Sequence, residues 1–395
     1  MARSLGPELL AYFALAQAYA FIVNNIFNVQ TWESLIKFGQ MDSKPNQLAE
    51  AIKTNVLIDV AGAMLAFIIA IGVAEQVGTV LNWDSDLVQL SYAYSFTIPF
   101  TLTTLTIGVP RLFNKFAVIA KLQFVMAALK LSVVGIVYLQ NGSVLSYTMA
   151  YIGTEMLVNA GLIVYSLYLL KRKQVIDWRR TKIRLDSDQL RFLWWTNLRT
   201  IVRIPVRQLD VLIINQVMSM NTVGIYKAYK EILGIIGRLG DPINQALYPE
   251  YSKLLGKGKT TETVSVTKRL MKILGIVSAV TCVGFLVASA PIIETFLGAE
   301  FLLLISAYYV LVVLNCINLF LTPINSLFIA AGFARYSFVV VLFNNILYLA
   351  VALIGGIHLG IYGIVLAFAA QMTFNQGMKI VLMRRYSTGW GSVIR

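Results

Sequence analysis

Eleven apolar stretches constrain most strongly what this chain can fold into. Because a bilayer core about 30 Å thick needs about 20 apolar residues per helix, each stretch predicts a transmembrane helix. The chain is 58% hydrophobic and 13% charged, whereas water-soluble domains carry about 25% charged residues, so an ordinary soluble enzyme is excluded. The sequence therefore predicts an all-α polytopic membrane protein. Its spans lie at residues 9–29, 52–75, 87–108, 116–138, 145–170, 192–218, 222–245, 269–291, 301–331, 336–356 and 360–383.

The basic residues are distributed unevenly between the segments that join these spans. Of 33 Lys and Arg, 24 lie in the segments after spans one, three, five, seven and nine, in the C-terminal tail, or in the five span residues next to these segments, and only Arg3 lies in the alternate segments. Cytoplasmic segments carry such an excess, so the C-terminus is predicted to be cytoplasmic. Since orientation accounts for most of the net charge of +14, nucleic acid is not predicted as a partner. The remaining eight basic residues lie inside spans.

A weak internal repeat relates the two halves of the chain. Ala11–Leu15 resembles Gly224–Ala228, which lies 213 residues later, and Leu87 matches Phe301 at an offset of 214. Such repeats are common in transporters. The repeat predicts two six-helix lobes.

The repeat also predicts the domain organisation. Residues 1–170 form an N-terminal lobe of five helices, 171–191 a basic cytoplasmic linker, and 192–395 a C-terminal lobe of six helices. Because the offset would place the start of the first lobe before Met1, we expect the first of twelve helices to be missing from this chain. A true eleven-span protein is the alternative.

Charges inside the sixth and seventh spans are the most informative functional feature, since intramembrane charges are expensive and rare. At 100° per residue, the charges in each span fall on one stripe. A short turn makes the two helices antiparallel neighbours, so the stripes can face each other across a wet, net positive cavity that suits phosphate or pyrophosphate. The predicted binding residues are Arg199, Arg203, Arg207, Lys227, Lys230 and Arg238.

An alternative interpretation makes the sixth span an interfacial amphipathic helix whose arginines contact anionic headgroups. This accounts for Arg199 and in part for Arg203, but poorly for Lys230, which we expect near mid-membrane.

Further intramembrane charges are candidates for ion pairs or for a coupling-ion pathway. Lys130 and Glu155, on successive helices, are expected to form a structural ion pair, with a coupling-ion role for either as the alternative. The candidates are Asp59, Lys130, Glu155, Asp210 and Glu231.

The sequence predicts no enzyme activity, no cofactor and no metal site. It has a single histidine, His358, and its cysteines, Cys282 and Cys316, lie in apolar runs typical of buried packing. We identify no catalytic motif.

Five short motifs resemble those of the polysaccharide transporters, or O-antigen flippases, of the multidrug/oligosaccharidyl-lipid/polysaccharide (MOP) flippase superfamily. They are Leu5-Gly6-Pro7-Glu8; Asp210–Ile214 followed by Val223–Ala228; Tyr248–Ser252; Leu297–Phe301; and Leu359–Ile364.

The resemblance implies a V-shaped transporter with two six-helix lobes around a central cavity, carrying cationic residues on the helices that hold Arg203, Arg207, Lys227 and Lys230. It implies alternating-access flipping of undecaprenyl-diphosphate-linked oligosaccharide, for O-antigen or another surface polysaccharide, across the bacterial inner membrane. Expected partners are membrane lipids and the polymerase and ligase of the same pathway. The alternatives are a drug or metabolite antiporter of the same superfamily, a non-transporting scaffold, and an inactive truncated homologue.

Overall fold

The computed structural model describes residues 2–39, 45–184, 186–204 and 208–386, and this part of the chain is almost wholly helical, without strands. The first helices are α1 (Ala2–Phe27), α2 (Thr31–Gly39), α3 (Pro45–Val80), α4 (Ser85–Ser95), α5 (Val109–Leu112), α6 (Phe116–Leu139) and α7 (Val144–Arg172). They are followed by α8 (Ser187–Ile204), α9 (Asp210–Val217), α10 (Met220–Gly256), α11 (Thr260–Phe296), α12 (Ile305–Phe320), α13 (Thr322–Phe328), α14 (Ala334–Leu359) and α15 (Ile361–Tyr386).

Six of the helices are long and apolar enough to cross a membrane, or seven if the bent pair formed by α12 and Thr322–Phe333 is one span. In the described residues, each of the eleven predicted spans lies mainly in helical structure. α10, which carries Lys227, Lys230 and Glu231, is not among the six. The fold is therefore that of a polytopic all-α membrane protein, as predicted.

The chain divides into two compact units. Unit 1 consists mainly of Tyr12–Ile204, and unit 2 of Gly6–Ala11 with the described residues from 208 onward. α8 groups with unit 1, where Gln189 Nε2 donates to Ser34 Oγ at 3.2 Å. By contacts α8 thus belongs to unit 1, although the sequence assigns residues 192–395 to the C-terminal lobe. That assignment, which rests on the repeat, stays a prediction.

Each unit contains a span that is interrupted by irregular turns. In unit 1, α4 is followed by a 3-10 turn at Ile98–Phe100 and a π-helical turn at Thr104–Gly108. In unit 2, a 3-10 turn at Ala299–Leu302 precedes α12 and α13, and a π-helical turn follows at Ile329–Phe333. The break in the third predicted span is a correction, since the sequence predicts one uninterrupted helix over 87–108.

The segments that follow the first, third and fifth spans meet at one end of unit 1. Lys53 Nζ donates to the carbonyls of Trp178 and Thr181 at 2.7 and 2.8 Å. The guanidinium of Arg111 lies 4.6 Å from the ring centroid of Trp32. These odd-numbered connections carry the excess of basic residues, so their convergence supports the alternating topology.

A tight contact in unit 2 joins two of the five motifs that resemble those of the polysaccharide transporters. α1 is kinked at Gly6, whose φ of 71° lies in the left-handed region, and Pro7 follows it. The carbonyl of Pro7 lies so close to Gly224 of α10 that a Cβ atom there would be 1.7 Å from its oxygen. A Cβ on Gly6 would be 3.3 Å from Glu300 Oε2 of a third motif. Glycine is therefore required at residue 224 for the N-terminal segment to pack on α10.

We expect Gly224→Val to destabilise the protein by about 3 kcal/mol or more, because backbone atoms cannot move aside as a flexible side chain can. The measurement is thermal unfolding of the purified chain in detergent. Gly237→Ala on the same helix is the matched control, since nothing lies within 4 Å of its added Cβ. Equal melting temperatures for both variants would contradict the role given to this contact.

Candidate functional site

The candidate site is built on the antiparallel pair α9 and α10 in unit 2. α9 ends at Val217, Met218 is extended, and Ser219 caps α10 by accepting from the backbone N–H of Thr222 at 3.4 Å. A serine N-cap satisfies an otherwise unpaired helix N–H. With only two residues between them, the helices run side by side, as the sequence predicts.

This geometry brings Asp210 against two residues of α10. Asp210 lies seven residues before the end of α9 and Tyr226 six residues after the start of α10, which at 1.5 Å per residue places both about 10 Å from the turn. Helical side chains lean toward the N-terminus, so Lys230, one turn further along, reaches back to the same level. Asp210 Oδ2 accepts from Tyr226 Oη at 2.7 Å and from Lys230 Nζ at 2.6 Å.

The carboxylate of this cluster is enclosed. The side chain of Asp210 is 2% exposed and that of Lys230 29%. Tyr348 of α14, also buried, lies within hydrogen-bonding reach of Tyr226. In a site with so little water, the negative charge of Asp210 and the positive charge of Lys230 are each stabilised mainly by the other. Asp210 therefore neutralises Lys230 and, with the tyrosine, fixes the position of its ammonium group.

A second ion pair lies on the same helix. Lys227 Nζ is 2.9 Å from Glu231 Oε1, with side-chain exposures of 10% for Lys227 and 62% for Glu231. The buried ammonium is thus held by a carboxylate that reaches the surface. Arg238, two turns after Glu231, is exposed.

The predicted stripe of the sixth span lies partly outside the described residues. Arg199 lies on α8, which is described up to Ile204, and Asp210 is the first residue of α9, which follows a π-helical turn at Gln208–Leu209. In unit 1 the half-exposed Arg199 binds Glu33 of α2, with its Nη2 at 2.6 and 2.5 Å from the two carboxylate oxygens. The single stripe from Arg199 to Asp210 stays a prediction. Arg203 lies on α8 with an undescribed side chain, and Arg207 lies outside the described residues.

The predicted ion pair between Lys130 and Glu155 is not formed in the described part of the chain. Lys130 Nζ lies 3.3 Å from the ring centroid of Tyr151, a cation–π contact. Glu155, one turn further along α7, accepts from Tyr94 Oη at 3.2 Å. The helices are neighbours as expected, but the helical phase presents Tyr151 to the lysine.

Two site residues, Tyr226 and Glu33, were missed by sequence reasoning. Tyr226 lies four residues before Lys230 and is therefore on the same helix face, so its spacing could have identified it. Glu33 lies in an amphipathic segment, and no periodicity connects it with Arg199, which is 166 residues away.

The sequence matches a known protein family. Residues 1–306 match the model of a family described as polysaccharide biosynthesis protein. The chain belongs to this family. The sequence matches none of the curated proteins.

Solved structures with the same fold are MOP-superfamily transporters. An inward-facing multidrug resistance MATE family transporter has a TM-score of 0.78 at 14% identity, over 98% of this chain and 94% of that one. An outward-facing structure of a MATE family transporter has a TM-score of 0.67 at 15% identity, over 96% and 88%. The lipid II flippase MurJ, in an inward closed conformation, has a TM-score of 0.76 at 14% identity, over 97% and 83%. The predicted fold class is therefore confirmed.

Removing Asp210 is expected to destabilise the protein through the lysine that it leaves behind. Asp210→Ala should lower the free energy of unfolding by about 2–3 kcal/mol, because Lys230 loses its carboxylate in a largely buried position. Lys230→Met added to Asp210→Ala should recover part of this loss. Denaturation of all four members of the cycle measures the coupling.

Glu262→Gln is the control for this cycle. Glu262 and its partner Lys259 are both about half exposed, so the change should stay within about 0.5 kcal/mol. Additive effects of the Asp210 and Lys230 substitutions would contradict a direct interaction between the two side chains.

Proposed function

We propose that this protein flips undecaprenyl-diphosphate-linked oligosaccharide, the repeat unit of O-antigen or another surface polysaccharide, across the bacterial inner membrane by alternating access. The C-terminus is cytoplasmic in this proposal. The observation that carries it is the pair of carboxylate-bound lysines, Lys227 and Lys230, on one helix of an apolar bundle. Membership of a polysaccharide biosynthesis family supports the same substrate class.

The two ion pairs suit a site that binds a multiply charged anion. An ammonium group buried in an apolar bundle is costly unless a counter-charge accompanies it. Asp210 and Glu231 supply that counter-charge, and in our proposal the diphosphate takes over the lysines when the substrate enters. Arg203, Arg207 and Arg238 add guanidinium forks, which match phosphate oxygens in pairs.

The lipid tail of the substrate stays in the bilayer in this proposal. No residue of α6 is buried, and Phe124, Leu131 and Leu139 are each at least 76% exposed. Such a surface is typical of a helix that faces lipid. In this proposal the protein acts on the charged headgroup of the substrate alone and does not hydrolyse ATP.

The proposed role of the cations predicts a loss of surface polysaccharide in charge-removing variants. Arg207→Ala and Lys230→Ala should each lower it at least about tenfold, since a hydrogen bond to a charged group contributes about 1.5–3 kcal/mol. Lys230→Arg should retain more activity than Lys230→Ala because it keeps the charge. The measurement is polysaccharide on cells complemented with each variant, normalised to protein in the membrane.

The control is Lys259→Gln, at an exposed position paired with Glu262 in the segment between α10 and α11. It should leave polysaccharide unchanged. Wild-type polysaccharide in both Arg207→Ala and Lys230→Ala cells, at normal protein level, would refute the assignment of the cationic site.

A drug or metabolite antiporter is the second candidate, because the fold is shared with a multidrug transporter. Sites for organic cations are expected to be acidic, whereas the charges within the spans of this chain are mainly basic. A drug-susceptibility panel on a deletion strain separates the two: the flippase predicts unchanged susceptibility together with loss of surface polysaccharide. Increased susceptibility with normal polysaccharide would favour the antiporter.

A further inference from the structure

Asp59 is a fully buried carboxylate at the centre of unit 1, and the proposed anion site does not use it. It lies on α3 with 0% exposure. Its Oδ2 accepts from the backbone N–H of Thr104 at 2.6 Å, and its Oδ1 accepts from the hydroxyl of Thr103 at 3.3 Å. In the described part of the chain no Lys, Arg or His forms an ion pair with it. A buried carboxylate without a cation tends to bind a proton.

Other titratable groups around α3 have partners of their own or lie at the surface. Residues 98–108, which face Asp59 from the broken span, contain none. Residues 20–27, at the end of α1, contain none either. Glu33 is ion-paired, Lys37 lies over an aromatic ring, and Lys53 donates to backbone carbonyls. Asp86 is exposed, and Glu155 accepts from Tyr94.

Three threonine hydroxyls form a chain that ends on this carboxylate. Thr104 Oγ1 donates to Thr31 Oγ1 at 2.7 Å, and Thr31 Oγ1 lies 2.9 Å from Thr103 Oγ1. Thr31 and Thr104 are buried, whereas Thr103 is partly exposed. A hydroxyl both donates and accepts, so adjacent hydroxyls can pass a proton along the chain. Thr103 thus joins the surface to Asp59.

The carboxylate also lies where three elements of unit 1 change direction. Thr31 is the first residue of α2, and Thr104 is the first residue of the π-helical turn. One turn along α3, a Cβ on Gly62 would be 3.2 Å from the carbonyl oxygen of Phe27, at the end of α1. The N-terminus of a helical segment favours a negative charge. Protonation of Asp59 therefore weakens its bond to Thr104 at a break in the helix.

We propose that Asp59 is a proton-binding site that takes up and releases one proton as the protein changes conformation. The proton passes through the hydroxyl of Thr103, the partly exposed end of the chain, to the carboxylate, which becomes the neutral acid. On release it returns to water, so the charge of the site changes by one in each direction. The hydroxyl oxygens contact one another rather than surround a gap, which favours a proton over a sodium ion.

The proton-binding step is tested without substrate by infrared spectroscopy of the full chain in detergent. The carbonyl band of a buried protonated carboxyl group should appear on acidification and disappear when the pH is raised again. Asp59→Asn should remove this band, and Asp86→Asn, at an exposed position of α4, should leave it. Thr103→Val should slow its appearance after a pH jump without abolishing it.

Two outcomes would overturn the proposal. A spectrum in which Asp59→Asn changes nothing would mean that Asp59 stays ionised and only caps the helical turn. A band that shifts with added sodium at constant pH would identify a sodium site instead. Asp59→Glu, which keeps the acid, should restore the titration if Asp59→Asn removes it.

Coupling of this proton to transport rests on the proposed function. In proteoliposomes, an imposed pH gradient should change the rate of oligosaccharide flipping by wild-type protein, and Asp59→Asn should remove that dependence. Equal gradient dependence of the two proteins would overturn the coupling. Absence of any flipping by wild-type protein, with the infrared titration intact, would refute the proposed function and leave the proton site standing.

Discussion

The structure of unit 1 depends on satisfying backbone groups where helices break inside a membrane. In lipid no water can satisfy an exposed N–H or carbonyl, so each break must be covered by protein. The third span breaks at Thr101–Thr103, and two side chains cover it: Asn28 Nδ2 donates to the carbonyl of Thr101 at 3.2 Å, and Asp59 accepts from the N–H of Thr104. The break therefore requires polar residues at the centre of the bundle. Once present, these residues are available for chemistry.

The cost of removing polar groups from water also applies to the charged side chains of unit 2. A buried ion pair is weak evidence for stability, because removing two charges from water costs about as much as their attraction returns. An apolar pair in place of Asp210 and Lys230 would pack as well. Retaining the charges, with Tyr226 added as a second donor, favours a role in binding over a role in folding. Gly224, on which Pro7 packs tightly, lies three residues before Lys227, and Glu231 lies one turn beyond Lys227. The contact and the charges therefore share one helix.

Hydropathy was sufficient to predict the helices but not their breaks. Residues 96–106 are apolar or carry hydroxyls, and both kinds are compatible with a membrane helix. Pro99 is the local signal that could have marked the interruption, because proline removes a helical hydrogen bond. The pairing of Asp210 with Lys230 was accessible because a two-residue turn fixes the register of α9 against α10. The pairing of Arg199 with Glu33 was not, because it joins elements far apart in sequence. For Lys130 the neighbouring helix was right and the phase wrong, by the one turn that separates Tyr151 from Glu155.

A carrier must bind its substrate well enough to select it and weakly enough to release it. Free cations in an apolar cavity would hold a diphosphate very tightly, because both partners would lose water and gain a full opposite charge. In the proposed cycle, lysines already bound to Asp210 and Glu231 exchange one anion for another, so the net gain on binding is only the difference between the two. Each released carboxylate then competes with the substrate for the same ammonium group. If the proposed function holds, the acidic residues on these helices are therefore as necessary to flipping as the basic ones, since they return the site to its empty state.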